Sequence, residues 1–246
     1  MQSSELRKRP AQINEPPLCA SCAIRSTSLC GALSSVEIAQ LNEISHRKVL
    51  AAGQLYTLGQ DQTRDFANVV RGVAKLVRGS EDGRNQIVGL LFPSDFIGGT
   101  LKADDAGEPY VIEAVSEVEL CLFPRKRFTQ LLDVFPSLER KLLERTLDEL
   151  QVAQDWMVLL GRKTAQERVA TFLLHAADKM ANHGCQPSAQ FDLPLGRADI
   201  ADHIGLTIET VSRQITKLRK DGIIAMQGAR TITALDRETL VDRAGF

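Results

Sequence analysis

Three of the chain's cysteines are spaced Cys19-x2-Cys22-x7-Cys30, and two more, Cys121 and Cys185, stand far from them and from each other. Two thiolates two residues apart can grip one metal ion or adjacent irons of a cluster. Three chemistries suit the pattern. Four thiolates make a tetrahedral zinc site, although structural zinc commonly shows two close pairs. Any Cys-x-x-Cys can serve as a thiol-disulfide switch. Three close cysteines with a remote fourth suit an iron-sulfur cluster. Spacing by itself does not choose among them. Cys121 is the best fourth ligand. Strand alternation over Val118–Phe123 turns it away from Leu120 and Leu122, onto the face of Glu119, where a folded-over N-terminal arm can meet it. The plainer reading of Cys121 is a small buried hydrophobe. Cys185, beside Gly184, reads as unliganded.

A second set of residues has the chemistry to read DNA. Arg197–Ile204 reads as a short helix, Gly205 permits a tight turn, and Thr207 is a good N-cap for a second helix, Ile208–Lys220. Val211, Ile215 and Leu218 share one face of that helix, and Glu209, Ser212, Arg213, Thr216, Lys217 and Lys220 share the other. Arg213 can donate twice to guanine, Glu209 can accept from cytosine, and Ser212 can approach either base type. Lys217, Arg219 and Lys220 can neutralise phosphates, which adds affinity without sequence information. Ile223–Met226 and Thr231–Ala234 flank Gln227-Gly228-Ala229-Arg230, a hairpin placed where a wing belongs. A solvated polar helix face explains the charges alone; it does not explain turn, cap and wing occurring together.

The elements that must position these sites divide the chain into four segments. Residues 1–33 form an arm with the cysteine cluster and a basic Arg7-Lys8-Arg9; 34–135 a β-roll; 136–161 a long helix; 162–246 a winged helix-turn-helix unit. Ser34 and Glu37 make a capping box for a short helix to Ile44. Short apolar stretches from His46 to Phe123, broken by Gly53, Gly59, Gly72, Asp82-Gly83 and Gly107, predict many short strands and hence a sandwich or jelly roll. A helical pattern follows from Pro136 to Leu160, with Gly161 as its stop. On it Leu143, Thr146, Leu150, Ala153, Met157 and Leu160 keep the spacing of a coiled-coil seam, while Leu142 and Leu147 can face the helix's own domain. Two apolar faces predict a dimerisation helix. Thr164 and Glu167 make another capping box, Val169, Phe172, Leu173 and Ala176 a helical stripe, and Phe191-Asp192-Leu193 a short strand.

Composition bounds the rest. The chain has 246 residues, 43% hydrophobic and 25% charged, which excludes wholesale disorder. Its net charge of −1 hides a split: nine acids and two bases from Ser80 to Glu119, five bases and two acids from Thr207 to Arg230. No secretory pattern opens the sequence and no apolar run approaches the roughly 18–20 residues of a membrane span, so no membrane partner and a cytoplasmic protein are expected.

Phe66–Val77, Phe92-Pro93-Ser94-Asp95-Phe96-Ile97-Gly98 and Asp199–Gly222, in the order β-domain, long helix, winged helix-turn-helix, resemble the cyclic-AMP receptor/FNR superfamily of transcription regulators. The resemblance spans nearly the whole chain and implies an α+β fold: an N-terminal β jelly-roll sensor domain, a long dimerisation α-helix and a C-terminal winged helix-turn-helix domain. Glu209-Thr210-Val211-Ser212-Arg213 matches the E-x-x-S-R pattern of FNR-type members, which implies TTGAT-like half-sites in a palindromic double-stranded site. FNR-type oxygen sensors bind a [4Fe-4S] cluster through three N-terminal cysteines and one from the β-domain, which implies Cys19, Cys22, Cys30 and Cys121 as ligands. The resemblance further implies a homodimer, contact with RNA polymerase, and loss of the dimer when oxygen destroys the cluster. The cyclic-AMP branch grips phosphate with an Arg-Ser pair; Gly107-Glu108-Pro109-Tyr110-Val111 has none, which argues against a cyclic nucleotide.

Other inputs to the same output are nitric oxide, haem, thiol redox or none. His46, His175, His183 and His203 sit in no haem motif. A jelly-roll metalloenzyme is the reading from a different class. It lacks a multi-histidine set, and no catalytic triad, Walker or dinucleotide motif appears, so no catalysis is expected.

Overall fold

The computed structural model describes residues 15–57, 65–79, 85–98, 111–181, 190–228 and 231–245. The basic cluster at Arg7-Lys8-Arg9, the turns at Gly59 and Asp82-Gly83, the 107–110 stretch, His183, Gly184, Cys185, Ala229 and Arg230 lie outside the described residues.

The segment bearing the cysteines has more local structure than a loop. Pro17–Ala20 is one turn of helix (α1), and Leu29–Ala32 is a 3-10 turn whose preceding Ser28 hydroxyl accepts from the Cys30 amide. Helix α2, Ser35–Ile44, starts with the expected capping box: Ser34 accepts from the Glu37 amide and the Glu37 carboxylate accepts from the Ser34 amide.

Eight short strands follow: β1 (His46–Leu50), β2 (Leu55–Thr57), β3 (Phe66–Arg71), β4 (Ala74–Gly79), β5 (Asn85–Leu91), β6 (Phe96–Ile97), β7 (Val111–Ala114) and β8 (Val118–Phe123). They form two antiparallel sheets, ordered β1-β8-β3-β6 and β2-β7-β4-β5. Leu50, Val69, Leu120, Ile112 and Ala74 close the core between them. On β8 the alternation holds: Leu120 and Leu122 are fully buried, while Glu119 and Cys121 face the other way.

Helix α3, Arg125–Val134, is not evident from the sequence, and helix α4, Pro136–Arg162, follows at once with Pro136 at its first turn. At 1.5 Å per residue α4 is roughly 40 Å long. Gly161 does not stop it; the helix ends at Lys163, where Arg168 Nη2 donates to the Leu160 carbonyl at 2.7 Å and Nε to that of Lys163 at 2.9 Å. Those bonds satisfy end carbonyls that a glycine turn otherwise would.

The remainder is α5 (Ala165–Ala181), β9 (Gln190–Asp192), α6 (Arg197–Ile204), α7 (Ile208–Lys220), β10 (Ile224–Gln227), β11 (Thr231–Ala234) and a last helix α8 (Arg237–Ala244). Gly205 closes α6 with φ +64°, a left-handed conformation that costs glycine little. β9 joins the hairpin as a third strand, order β10-β11-β9. Val169, Phe172, Ile200, Val211, Ile215, Leu218 and Leu240 share one buried core.

Candidate functional site

Four cysteines from separate parts of the chain line one cavity. Cys19 comes from α1, Cys22 from the turn after it, Cys30 from the 3-10 turn and Cys121 from β8. All four are free thiols. Gly31 is required beside Cys30, because a side chain there would run into the Ser26 carbonyl. Arg25 ties the segment together, donating to Glu15 at 2.9 Å, to the Leu33 carbonyl at 3.0 Å and to the Cys30 carbonyl. Cys19 Sγ donates to Asn42 Oδ1 at 3.4 Å. Arg47, opposite Cys121 in the β1–β8 register, reaches Cys22 Sγ at 3.4 Å and Glu119 at 3.1 Å.

The electrostatics follow from burial. Desolvation raises the pKa of Cys19 and Cys30 and pushes Cys121 up to about 12, against the lowering influence of nearby arginines. These thiols therefore stay protonated at neutral pH, and a metal would have to displace their protons to bind. The cavity measures about 20 Å³, and among the described residues no three His, Cys, Asp or Glu groups converge closely enough to hold a metal ion. Asn68 is buried opposite Cys121 and also lines the cavity, with its Oδ1 unpartnered. In donor chemistry the site fits a thiolate-ligated group, with two arginines to offset its charge. In volume it fits one only if the Cys19–Cys30 segment moves outward.

Beneath the cysteines lies an apolar cluster of Phe66, Phe123, Phe128 of α3 and Leu138 of α4. The cysteine segment thus packs where the long helix begins. Along that helix the predicted seam is open: Leu143 is 59% exposed, Leu150 52%, Met157 71% and Leu160 43%, with Thr146 and Ala153 also exposed. Leu142 packs on that apolar cluster as expected. Leu147 does not; at 56% exposed it widens the open apolar face instead.

On the helix-turn-helix, Thr207 accepts from the Thr210 amide at 3.3 Å and caps α7. Val211, Ile215 and Leu218 bury one face, and Glu209, Arg213, Thr216, Lys217 and Lys220 stand exposed on the other. Ser212 is half-buried beside Thr216 and Arg219 in a cavity of about 490 Å³ between α7 and the wing. The Lys217 ammonium donates to Gln166 at 3.0 Å. Hydrogen bonds at the helix start, from backbone amide and Thr207, hold the Glu209 carboxyl below its usual range, so it stays an acceptor.

Motif spacing does not single out Arg197. Its guanidinium lines the same cavity, donates to Met226 Sδ at 3.2 Å and has no carboxylate partner among the described residues; burial lowers its pKa. A cation in the first turn of α6 opposes the helix dipole, and that mismatch is the signal the sequence offers.

Residues 167–243 match the model of the Crp-like helix-turn-helix domain, and residues 47–134 that of the cyclic nucleotide-binding domain. The transcriptional activator protein FnrL of Cereibacter sphaeroides is 41% identical over 230 residues, 92% of each chain. The nitrogen fixation regulation protein FixK of Bradyrhizobium diazoefficiens is 38% identical over 209 residues, 85% of this chain and 86% of that one. The solved structure of FixK2 from Bradyrhizobium japonicum superposes with a TM-score of 0.69 at 31% identity, over 81% of this chain and 96% of that one. A β-roll, an open-faced long helix and a capped recognition helix define a DNA-binding transcription regulator rather than an enzyme. The chain belongs to the Crp/FNR family, among the FNR and FixK activators.

Proposed function

We propose that this regulator is an oxygen sensor that holds a [4Fe-4S] cluster on Cys19, Cys22, Cys30 and Cys121. The observation that carries the reading is that these four thiols, and no histidine among the described residues, line one cavity against the foot of the long helix. When bound, the cluster supplies oxidisable, sulfide-bridged iron. Arg47 and Arg25 offset the negative charge of the thiolates. With its ligands gathered, the segment holds the start of α4 in one position. Leu143, Thr146, Leu150, Ala153, Met157 and Leu160 then meet their copies in a homodimer. Two recognition helices bind a TTGAT-like inverted repeat: Glu209, Ser212 and Arg213 read base edges, and Thr207, Thr216, Lys217 and Lys220 position the duplex. Bound there, the dimer contacts RNA polymerase. Loss of the group to oxygen would leave Cys19, Cys22, Cys30 and Cys121 unliganded, and the seam would lose its support and the second half-site with it. A dimer bias of a few kcal/mol changes occupancy by orders of magnitude.

Cys121→Ser tests the reading. The variant purified without air should bind the inverted repeat at least 10-fold more weakly than the wild type. Wild-type affinity would overturn the sensor reading while leaving the DNA function in place.

A further inference from the structure

Between Cys22 and Cys30 the chain is anchored by the buried Ile24, Ser28 and Leu29, and polar bonds to two further elements come from Thr27. Its backbone carbonyl accepts a hydrogen bond from Arg145 Nη2, on α4 and beside the seam residues Leu143 and Thr146. Its hydroxyl pairs with that of Ser94. Ser94 is 5% exposed and left-handed, φ +69°, in a turn locked by the bonds Ser94 N to Val69 O at 2.8 Å and Asp95 N to Phe92 O at 3.0 Å. The next residue, Asp95, accepts from the Phe92 amide at 2.9 Å and pairs with Lys179 of α5 at 2.7 Å. Thr27 therefore joins the cysteine segment to the dimerisation helix by one bond and, through a rigid turn, to the DNA-binding unit by another.

We propose that Arg145 is the polar link through which the arrangement of the cysteine segment reaches the seam-bearing turns of the long helix, beyond its packed foot at Leu138, with Thr27 as the junction that also serves Lys179. The physical case is one of reach. Arg145 holds no carboxylate within ion-pair distance among the described residues, yet its side chain crosses from α4 to a carbonyl 118 positions away in sequence. A half-buried carbonyl such as that of Thr27 can still be left to water; a guanidinium spent on it fixes the segment to the helix. When the segment moves outward to accommodate ligands, or inward to release them, the Thr27 carbonyl moves with it. Arg145 must follow or let go, and either event changes how the adjacent Leu143 and Thr146 present the seam. The inference rests on the sensor reading of the cysteines, and its test separates the two.

Two measurements on the full chain decide it. In metal-free protein, Arg145→Ala should raise the iodoacetamide alkylation rate at Cys30 at least 5-fold, read by mass spectrometry, and Arg145→Lys should recover part of the protection. An unchanged rate overturns the tether. Second, dimer dissociation is measured without air for wild type, C121S, R145A and the double variant. The cysteine change should weaken the wild-type dimer at least 10-fold and the R145A dimer less than about 2-fold. A cysteine effect that persists undiminished in R145A overturns the coupling and leaves the sensor reading standing. No cysteine effect in the wild type overturns the sensor reading and the coupling with it.

Discussion

Lys75 on the β-roll and Asp199 at the start of the helix-turn-helix lie 2.9 Å apart, and Glu113 holds the same ammonium at 2.7 Å. Burial lowers the Lys75 pKa, but the two carboxylates outweigh it and the net shift is upward. Gln86 adds a bond to the Asp202 carbonyl at 3.0 Å. Both units are thereby joined outside the long helix. Lys75→Ala leaves two partly buried carboxylates without their cation and should cost about 1–3 kcal/mol. Thermal unfolding checks this; a change under about 0.5 kcal/mol would show that the ion pairs are idle.

His203 gives the same joint a pH dependence. It is 6% exposed, packs 4.4 Å from the Trp156 ring, and burial depresses its pKa to about 4 from an ordinary 6.5. Between those values the unfolded chain binds a proton that the folded chain does not. Stability is therefore present in full above about pH 6.5 and falls as pH drops toward 4, by roughly 3 kcal/mol at most. His175, half-buried and shifted downward by desolvation, acts in the same direction. Melting temperatures from pH 7 to 4.5 should fall for the wild type and less for His203→Gln. Parallel curves would refute the assignment.

Leu150→Glu should give a folded monomer. The side chain is exposed on α4, so the protomer loses little, while a dimer gains a charge at its seam from each copy. Sedimentation should show monomer at micromolar concentration, and affinity for an inverted repeat should fall at least 100-fold. A persisting dimer would place the interface elsewhere.

Arg213 and Arg197 should fail differently on DNA. Arg213→Ala should cost about 1–3 kcal/mol on the preferred site and relax the preference at one base pair. Arg197→Ala and Lys220→Ala should weaken all sequences alike and flatten the salt dependence by roughly one unit for each phosphate no longer neutralised. Anisotropy titrations at several salt concentrations separate the two, and a sequence-selective loss in Arg197→Ala would show that it reads bases.

Asn68→Val should stabilise the metal-free chain. The buried Oδ1 has no partner, which costs about 1 kcal/mol or more, and valine suits a strand better. A lower melting temperature in the metal-free variant would show that the amide is satisfied by the fold itself.

Legibility in the sequence followed local chemistry. Ser34 with Glu37, Thr164 with Glu167, and Thr207 with Gly205 have side chains or backbone freedom that act on nearby backbone, so they mark helix ends correctly. Helix α3 begins with Arg125, Lys126 and Arg127 against the helix dipole and has no side-chain cap, so nothing announces it. Helix α8 does carry a local signal, Asp236 accepting from the Thr239 amide at 2.9 Å, but too few apolar positions follow to make a periodic stripe. Cys121 is legible because strand alternation fixes which way a side chain points. Arg47, Asn68 and Arg145 are not, because register and loop packing bring them to the cysteines and neither is written in local spacing.

The central claim is met most directly by analysing protein purified without air for iron and acid-labile sulfide, with a visible spectrum before and after oxygen. The account predicts about four irons and four sulfides per chain, a visible absorption that oxygen bleaches, and their loss in Cys121→Ser but not in Cys185→Ser. A colourless, iron-free dimer that binds the inverted repeat would contradict it.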